Sequence, residues 1–154
     1  MNERPTLTFP EAVQLAASRF FEFTGRSRRS EYWWVMLALA VLSAILPVAV
    51  LVFDILAAPL TFRRLHDTGR SGWWYGGFLI FQYLTVFVGI LFVGISIFSI
   101  VTMGLSALAL LPMALAWAGL SVLYRIVLLI FLCQDSDPGD NQYGPSPKYE
   151  AFGE

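Results

Sequence analysis

WWYGGFLIFQYLTVFVGILFVGISIFSIVTMGLSALALLPMALAWAGLSVLY, the stretch from Trp73 to Tyr124, contains no charged side chain. A spanning helix needs roughly 20 apolar residues, so this stretch is long enough to cross a bilayer twice. Upstream, a second apolar run from Tyr32 to Phe62 is broken only by Asp54. The chain is 57% hydrophobic and 14% charged, where a soluble domain carries about 25% charged residues. Its mean hydropathy of +0.66 points the same way. The expected fold is all-α: one polytopic membrane domain over residues 1–154, with about four transmembrane helices.

Charge is unevenly spread. Arg4, Arg19, Arg26, Arg28 and Arg29 precede the first apolar run, Arg63, Arg64 and Arg70 share one polar segment, and the C-terminal residues carry mostly acids. No secretory signal is expected, because the first apolar run begins near Tyr32, far from the position such a signal needs. Cys133 is the only cysteine and His66 the only histidine. An internal disulfide and a multi-histidine metal centre are therefore both excluded.

Residues 8–22 read as an amphipathic helix, with Thr8 and Glu11 spaced as a capping box and Pro10 in the first turn. Val13, Ala16, Ala17 and Phe20 share its apolar face. Such a helix either lies in the membrane interface or packs on the rest of the protein. Tyr32, Trp33 and Trp34 mark the headgroup level where the chain enters the membrane. As a single helix, residues 32–62 would extend about 46 Å, well past a hydrocarbon core of about 30 Å. A hairpin split near Pro47 instead returns Arg63, Arg64 and Arg70 to the side of the N-terminal arginines, as the positive-inside rule prefers. Residues 73–133 then form two long spans, about 73–98 and 104–133, with a turn near Gly104 and Ser106. The tail, 134–154, is rich in Asp, Pro, Gly and Asn and should be irregular and cytosolic.

Two segments echo each other. Gly25-Arg26-Ser27 precedes Trp33-Trp34, and Gly69-Arg70-Ser71 precedes Trp73-Trp74 after one further glycine. All four tryptophans read as interface anchors. Between them, Arg63-Arg64-Leu65-His66-Asp67-Thr68-Gly69-Arg70 forms the densest polar cluster. Its cations suit the last turn of a helix, with Gly69 as cap and Arg63 and Asp67 spaced to pair. This cluster is either a charged helix stop or a phosphate site, since arginine forks bind phosphate oxygens bidentately. Asp54 and Arg125 lie at matching depth in apolar sequence, where charges are costly. They either pair with each other or reach the interface separately. A catalytic reading would use His66 as acid or base beside Asp67 or Glu31, but no nucleophile pattern, P-loop or zinc motif accompanies it.

The run Phe23-Thr24-Gly25-Arg26-Ser27-Arg28-Arg29-Ser30-Glu31-Tyr32-Trp33, the run Arg63 to Trp74, and Cys133 with Gly139, Asn141 and Tyr143-Gly144-Pro145 together resemble a family of small bacterial inner-membrane proteins, domain of unknown function 805. The connection before the arginine-histidine-aspartate motif is shorter than the family pattern, and the apolar stretch after it is longer. The resemblance implies a multi-pass protein of the bacterial cytoplasmic membrane with two membrane segments before the central motif. It supplies no activity and no catalytic residues. It also groups Arg26, Arg29, Glu31, Arg63, Arg64, His66, Asp67, Asn141 and Tyr143 on one cytosolic face, together with Arg70 from the residue reading. Asp135, Asp137 and Asp140 of a folded-back tail are expected to face those cations.

The expected function is a non-enzymatic module, without cofactor, whose cytosolic-face network binds anionic lipid or a protein partner. A transporter or channel subunit is the alternative, and a lipid-modifying enzyme using His66 is a third reading. Membrane lipids are the expected partners, with a protein partner or homo-oligomer possible and no nucleic acid.

Overall fold

The computed structural model describes residues 3–46, 49–103 and 111–149. Its elements are α1 (Phe9–Ser18), α2 (Arg29–Ile45), α3 (Val50–Leu56), α4 (Ala58–His66), α5 (Trp73–Met103) and α6 (Leu111–Cys133). No strand occurs among the described residues; only two isolated bridges do, Glu3 with Tyr149 and Asn141 with Gly144.

The start of α1 follows its sequence signal. Glu11 Oε2 accepts the Thr8 backbone N–H at 2.8 Å and the Thr8 hydroxyl at 2.7 Å. The helix stops at Ser18, short of the expected residue 22, where the chain tightens: the Phe20 N–H donates to the Ala17 carbonyl and the Glu22 N–H to the Arg19 carbonyl, three residues back instead of four. Arg63 Nη1 donates to the carbonyls of Arg19 and Glu22. α1 packs on α2 rather than standing off alone. Ala12 is fully buried, and the Trp34 indole N–H donates to the Leu7 carbonyl at 3.0 Å.

The stretch expected to form a hairpin comprises two arms that extend beyond it into the polar motifs. α2 begins at Arg29, with Glu31 in its first turn, where a carboxylate complements the helix dipole. α3 and α4 join through Ala57, whose backbone stays in the right-handed helical region. Pro47, the expected break, lies outside the described residues, as do Gly104 and Ser106. α4 ends with Arg63, Arg64 and His66 in its last turn. Gly69, at φ +71°, closes it: the Arg70 N–H donates to the Leu65 carbonyl and the Gly69 N–H to the His66 carbonyl. Those two bonds with a left-handed glycine are the Schellman arrangement.

α5 runs unbroken to Met103, past the expected end near residue 98, since nothing in that apolar sequence interrupts it. Among the described residues two helices are long and apolar enough to cross a membrane, Trp73–Ser99 and Ala114–Cys133. Only 6% of the apolar window of the first and 11% of that of the second is buried, so these are not core helices of a soluble domain. The buried core, Tyr32, Ala58, Leu60, Leu65, Tyr75, Phe78, Leu128 and Leu132, sits instead where α2, α4, α5 and α6 converge. The segments at Arg4 and Lys148 meet too, with the Arg4 N–H bonded to the Lys148 carbonyl at 2.9 Å. All the polar motifs are thereby collected at one end of the helix bundle.

Candidate functional site: a buried arginine clasp

Three arginines organise that end. Arg63 is fully buried on α4; its Nε donates to Ser27 Oγ at 3.0 Å and its Nη2 to Glu31 Oε1 at 3.3 Å. With the Arg19 and Glu22 carbonyls already described, one guanidinium ties α1, α2 and α4 together. Arg64, equally buried, donates from Nε to the Leu132 carbonyl at 3.1 Å, from Nη1 to Asp67 Oδ2 at 2.6 Å and from Nη2 to the Gln134 carbonyl. It therefore caps the C-terminus of α6, whose last carbonyls have no partner within the helix.

Arg26 draws in the tail. Its Nε donates to Asp67 Oδ1 at 3.0 Å, its Nη1 to the Gly139 and Gly144 carbonyls at 2.7 and 3.1 Å, and its Nη2 to the Asp137 carbonyl at 2.6 Å and the Asp67 carbonyl at 3.4 Å. A guanidinium has five N–H groups, and this one has no donor left for an outside ligand. Asp67, fully buried, is shared by Arg26, Arg64 and the Ser136 hydroxyl. The Asp137 N–H adds a bond to the Asp67 carbonyl at 2.9 Å.

Burial sets the electrostatics. It pushes the Asp67 carboxyl up, against the pull of Ser136, Arg64 and Arg26. Likewise it raises Glu31 and lowers Arg63 and Arg64, each opposed by its partner's charge. Such groups remain tolerable only because each charge is both paired and hydrogen-bonded.

His66 stands at the edge of the clasp. Its Nδ1 faces the Gly25 carbonyl at 3.1 Å, and its ring stacks on Tyr143 at 3.8 Å with 6° between planes. Burial lowers its pKa, partly offset by the Gly25 carbonyl. Neither Asp67 nor Glu31 orients it, contrary to what the catalytic reading requires. Asn141 Nδ2 donates to the His66 carbonyl at 2.9 Å, completing the seat for the tail.

These contacts join the Gly25–Trp34 motif, the Arg63–Trp74 motif and the Asn141-Gln142-Tyr143-Gly144 tail into one unit. The family model described as a protein of unknown function, DUF805, matches residues 20–58 and 40–145, which hold all three. The chain belongs to the DUF805 family. It is similar to the inner membrane protein YhaH of Escherichia coli (strain K12), at 27% identity over 147 residues, covering 83% of this chain and 88% of YhaH. It is similar as well to the inner membrane protein YhaI of the same strain, at 30% identity over 142 residues, covering 82% of this chain and 86% of YhaI. No solved structure matches it.

Several pairings in this DUF805 chain differ from those the sequence suggested. Asp67 pairs with Arg64, three residues away, and with Arg26; Arg63, four residues away, pairs with Glu31. Of the tail acids, Asp135 meets Arg29 at 3.1 Å and Lys148 at 2.9 Å. Arg26, by contrast, is met mainly by tail carbonyls. Among the described residues Asp54 and Arg125 form no ion pair, because Arg125 Nη2 donates to Gln82 Oε1 at 2.9 Å across the α5–α6 contact. Sequence reasoning missed Ser27 and Ser136, whose hydroxyls complete the bonding of Arg63 and Asp67. The Gly-Arg-Ser echo was the one available signal for Ser27.

Of the arginines in the predicted site, Arg70 and Arg29 stay accessible. Arg70 stacks over the Phe131 ring at 4.3 Å, beside Trp74. Arg29, with its side chain 46% exposed, heads a groove of about 550 Å³ lined by Ser30, Trp33, Trp34, Leu37 and Cys133. Trp73 is exposed as well.

Proposed function

We propose that this chain is a non-enzymatic module of the bacterial cytoplasmic membrane that crosses four times, keeps both termini cytosolic and holds an anionic phospholipid headgroup at Arg29. The Arg29 groove carries the reading. A guanidinium at its mouth suits a phosphate, Trp33 and Trp34 suit the headgroup level, and Leu37 and Cys133 offer the acyl chains an apolar wall. Arg26, Arg63 and Arg64 serve instead as the clasp that holds the groove's walls in place. Their donors are already directed to Asp67, Glu31 and backbone carbonyls.

The four-span arrangement is supported by length and charge. The parts of the two arms between the polar motifs, residues 32–45 and 50–62, rise about 20 Å each. Local thinning and arginine snorkelling bridge the remainder. Clustering of the arginine turns at one end accords with a cytosolic location.

The test is lipid retention by the full chain in nanodiscs containing phosphatidylglycerol or phosphatidylcholine, read by native mass spectrometry. One arginine near an anionic surface contributes about 1 kcal/mol. Arg29→Gln should therefore reduce phosphatidylglycerol retention about fivefold and leave phosphatidylcholine unaffected. Equal retention of phosphatidylglycerol by both proteins would remove lipid from the groove and leave a protein partner as its occupant.

A further inference from the structure

Arg28, the residue before α2, is only 9% exposed, yet among the described residues it meets no carboxylate. Its one hydrogen bond runs from Nη2 to the Arg4 carbonyl at 3.1 Å, and its Nε and Nη1 have no acceptor. Arg26, by comparison, directs its donors to five acceptors at Asp67 and in the tail. Enclosing a cation as Arg28 is enclosed is costly unless a counter-charge joins it. There is a place for one. Arg28 lines a pocket of about 160 Å³ together with Glu3, Arg4, Arg29, Ser30 and Lys148. Lys148 pairs with Glu3 at 3.3 Å and with Asp135 at 2.9 Å, and Asp135 also holds Arg29 at 3.1 Å. Four cations thus face two carboxylates. The Arg4 guanidinium, exposed, makes no bond among the described residues, so Arg4 and Arg28 carry the two positive charges left over. The Ser30 hydroxyl accepts the Leu7 N–H at 3.3 Å and keeps its own proton to donate.

We propose that this pocket binds a phosphate monoester, with Arg28 as its central ligand-binding residue and Arg4, Lys148 and Ser30 as further donors. Charge selects the class. A phosphate monoester carries about −1.5 to −2 at pH 7, whereas the diester of an ordinary phospholipid carries a single charge. The two guanidiniums left over here offset the monoester; a diester needs only one. Guanidinium forks engage phosphate oxygens in pairs, which a pocket walled by Arg28 and Arg4 allows. The dipole at the start of α2 adds to the attraction. Two sources present this chemistry. One is the terminal phosphate of a lipid such as phosphatidic acid, reaching the pocket past Arg29 and Ser30, which also line the tryptophan groove. The other is a soluble phosphate. The site shares Arg29 with the lipid reading above but rests on Arg28 and Arg4, so each stands without the other.

The test uses the full chain in phosphatidylcholine nanodiscs. In one arm a small fraction of phosphatidic acid or phosphatidylglycerol is added, and lipid retention is read by native mass spectrometry. In the other, inorganic phosphate is titrated calorimetrically into discs without anionic lipid. If a lipid supplies the monoester, wild type should retain phosphatidic acid about fivefold better than phosphatidylglycerol. Arg28→Gln should abolish that preference and leave phosphatidylglycerol retention as it was. If a soluble phosphate supplies it, the preference is absent, and inorganic phosphate should bind wild type and not Arg28→Gln. A wild type with neither property, or either property undiminished in Arg28→Gln, would overturn the proposal. Should Arg28→Gln fail to insert, Arg4→Gln decides in its place, because the Arg4 guanidinium holds no other part of the fold. It should weaken the same signal about fivefold, and an unchanged signal would equally overturn the site. Loss of phosphatidylglycerol in Arg29→Gln, with Arg28→Gln like wild type in both arms, would keep the lipid at Arg29 and remove the monoester. Phosphate binding that needs Arg28, with phosphatidylglycerol retention indifferent to Arg29→Gln, would keep the site and empty the groove.

Discussion

Asp67 and Arg26, 41 residues apart in the chain, are bonded at 3.0 Å with neither side chain exposed to solvent. That bond joins the turn before α2 to the end of α4, and Arg26 passes the connection on to the tail. A carboxylate shared between two guanidiniums with no water access contributes more to specificity of assembly than to net stability, since desolvation offsets much of the attraction. Breaking it from one side is another matter.

Asp67→Ala would leave Arg26 and Arg64 buried with no carboxylate between them. Removing one partner of a buried ion pair costs about 3–5 kcal/mol. A large drop in the thermal midpoint of the detergent-solubilised protein is expected, together with release of the tail to limited proteolysis. A midpoint within a degree of wild type would contradict the clasp.

Arg64→Lys keeps the charge and loses the fork. Three acceptors, the Leu132 and Gln134 carbonyls and Asp67 Oδ2, face three different nitrogens of one planar group. A single ammonium cannot reach all three. With hydrogen bonds to charged groups contributing about 1.5–3 kcal/mol each, a loss of about 2–4 kcal/mol is expected. Hydrogen exchange should show it first at the last turn of α6.

Gly72 explains the extra glycine in the second of the two echoing segments. A Cβ there would lie 2.2 Å from Phe62 Cδ1 and 2.5 Å from its Cγ, so α4 and the start of α5 approach too closely for any side chain. Gly72→Ala should cost about 1–3 kcal/mol through overpacking. Gly139→Ala, which meets nothing within 4 Å, should stay within about 0.5 kcal/mol of wild type. Thermal midpoints of the two variants compare them directly.

Membrane character and the outer ends of the long apolar helices, Trp73 and Cys133, were legible in the sequence because hydropathy is a local property. The absence of charge from Trp73 to Tyr124 needs no tertiary knowledge to interpret. Gly69 was legible for the same reason, as a helix stop set by its own backbone. Partner choice was not. Asp67 had both Arg63 and Arg64 at helical spacing, and the position of Glu31 on α2 decides between them. Arg26 was equally opaque, because four of its five acceptors are backbone carbonyls, which every residue carries. The length of α1 was misjudged for a related reason: after Ser18 the chain tightens into turns whose Arg19 and Glu22 carbonyls are held by a side chain 41 or more residues away.

His66 makes the tail sensitive to acid. Burial lowers its pKa below the ordinary value of about 6.5, so on acidification the unfolded chain takes up the proton first. Stability contributed by the neutral ring is present above about pH 6.5 and is lost as the pH falls through the folded-state value. His66→Phe keeps a ring against Tyr143 and cannot titrate. Proteolytic protection of the tail should decline between pH 7.5 and 5 in wild type, and more shallowly in the variant. Identical slopes would show that another group governs the response.

Topology follows from the same bonds. Thr68 and Ser146 are buried and would report accessibility poorly, whereas Thr6, Ser71, Gln142 and Leu46 are exposed. In a Cys133→Ser background, single cysteines at Thr6, Ser71 and Gln142 should react with an impermeant maleimide only after the cells are opened. One at Leu46, at the far end of α2, should react in intact cells. Labelling at Ser71 from outside while Thr6 stays protected would put Asp67 and Arg26 on opposite faces of the membrane. A 3.0 Å bond between their side chains forbids that, so this outcome would refute the clasp and the four-span arrangement together.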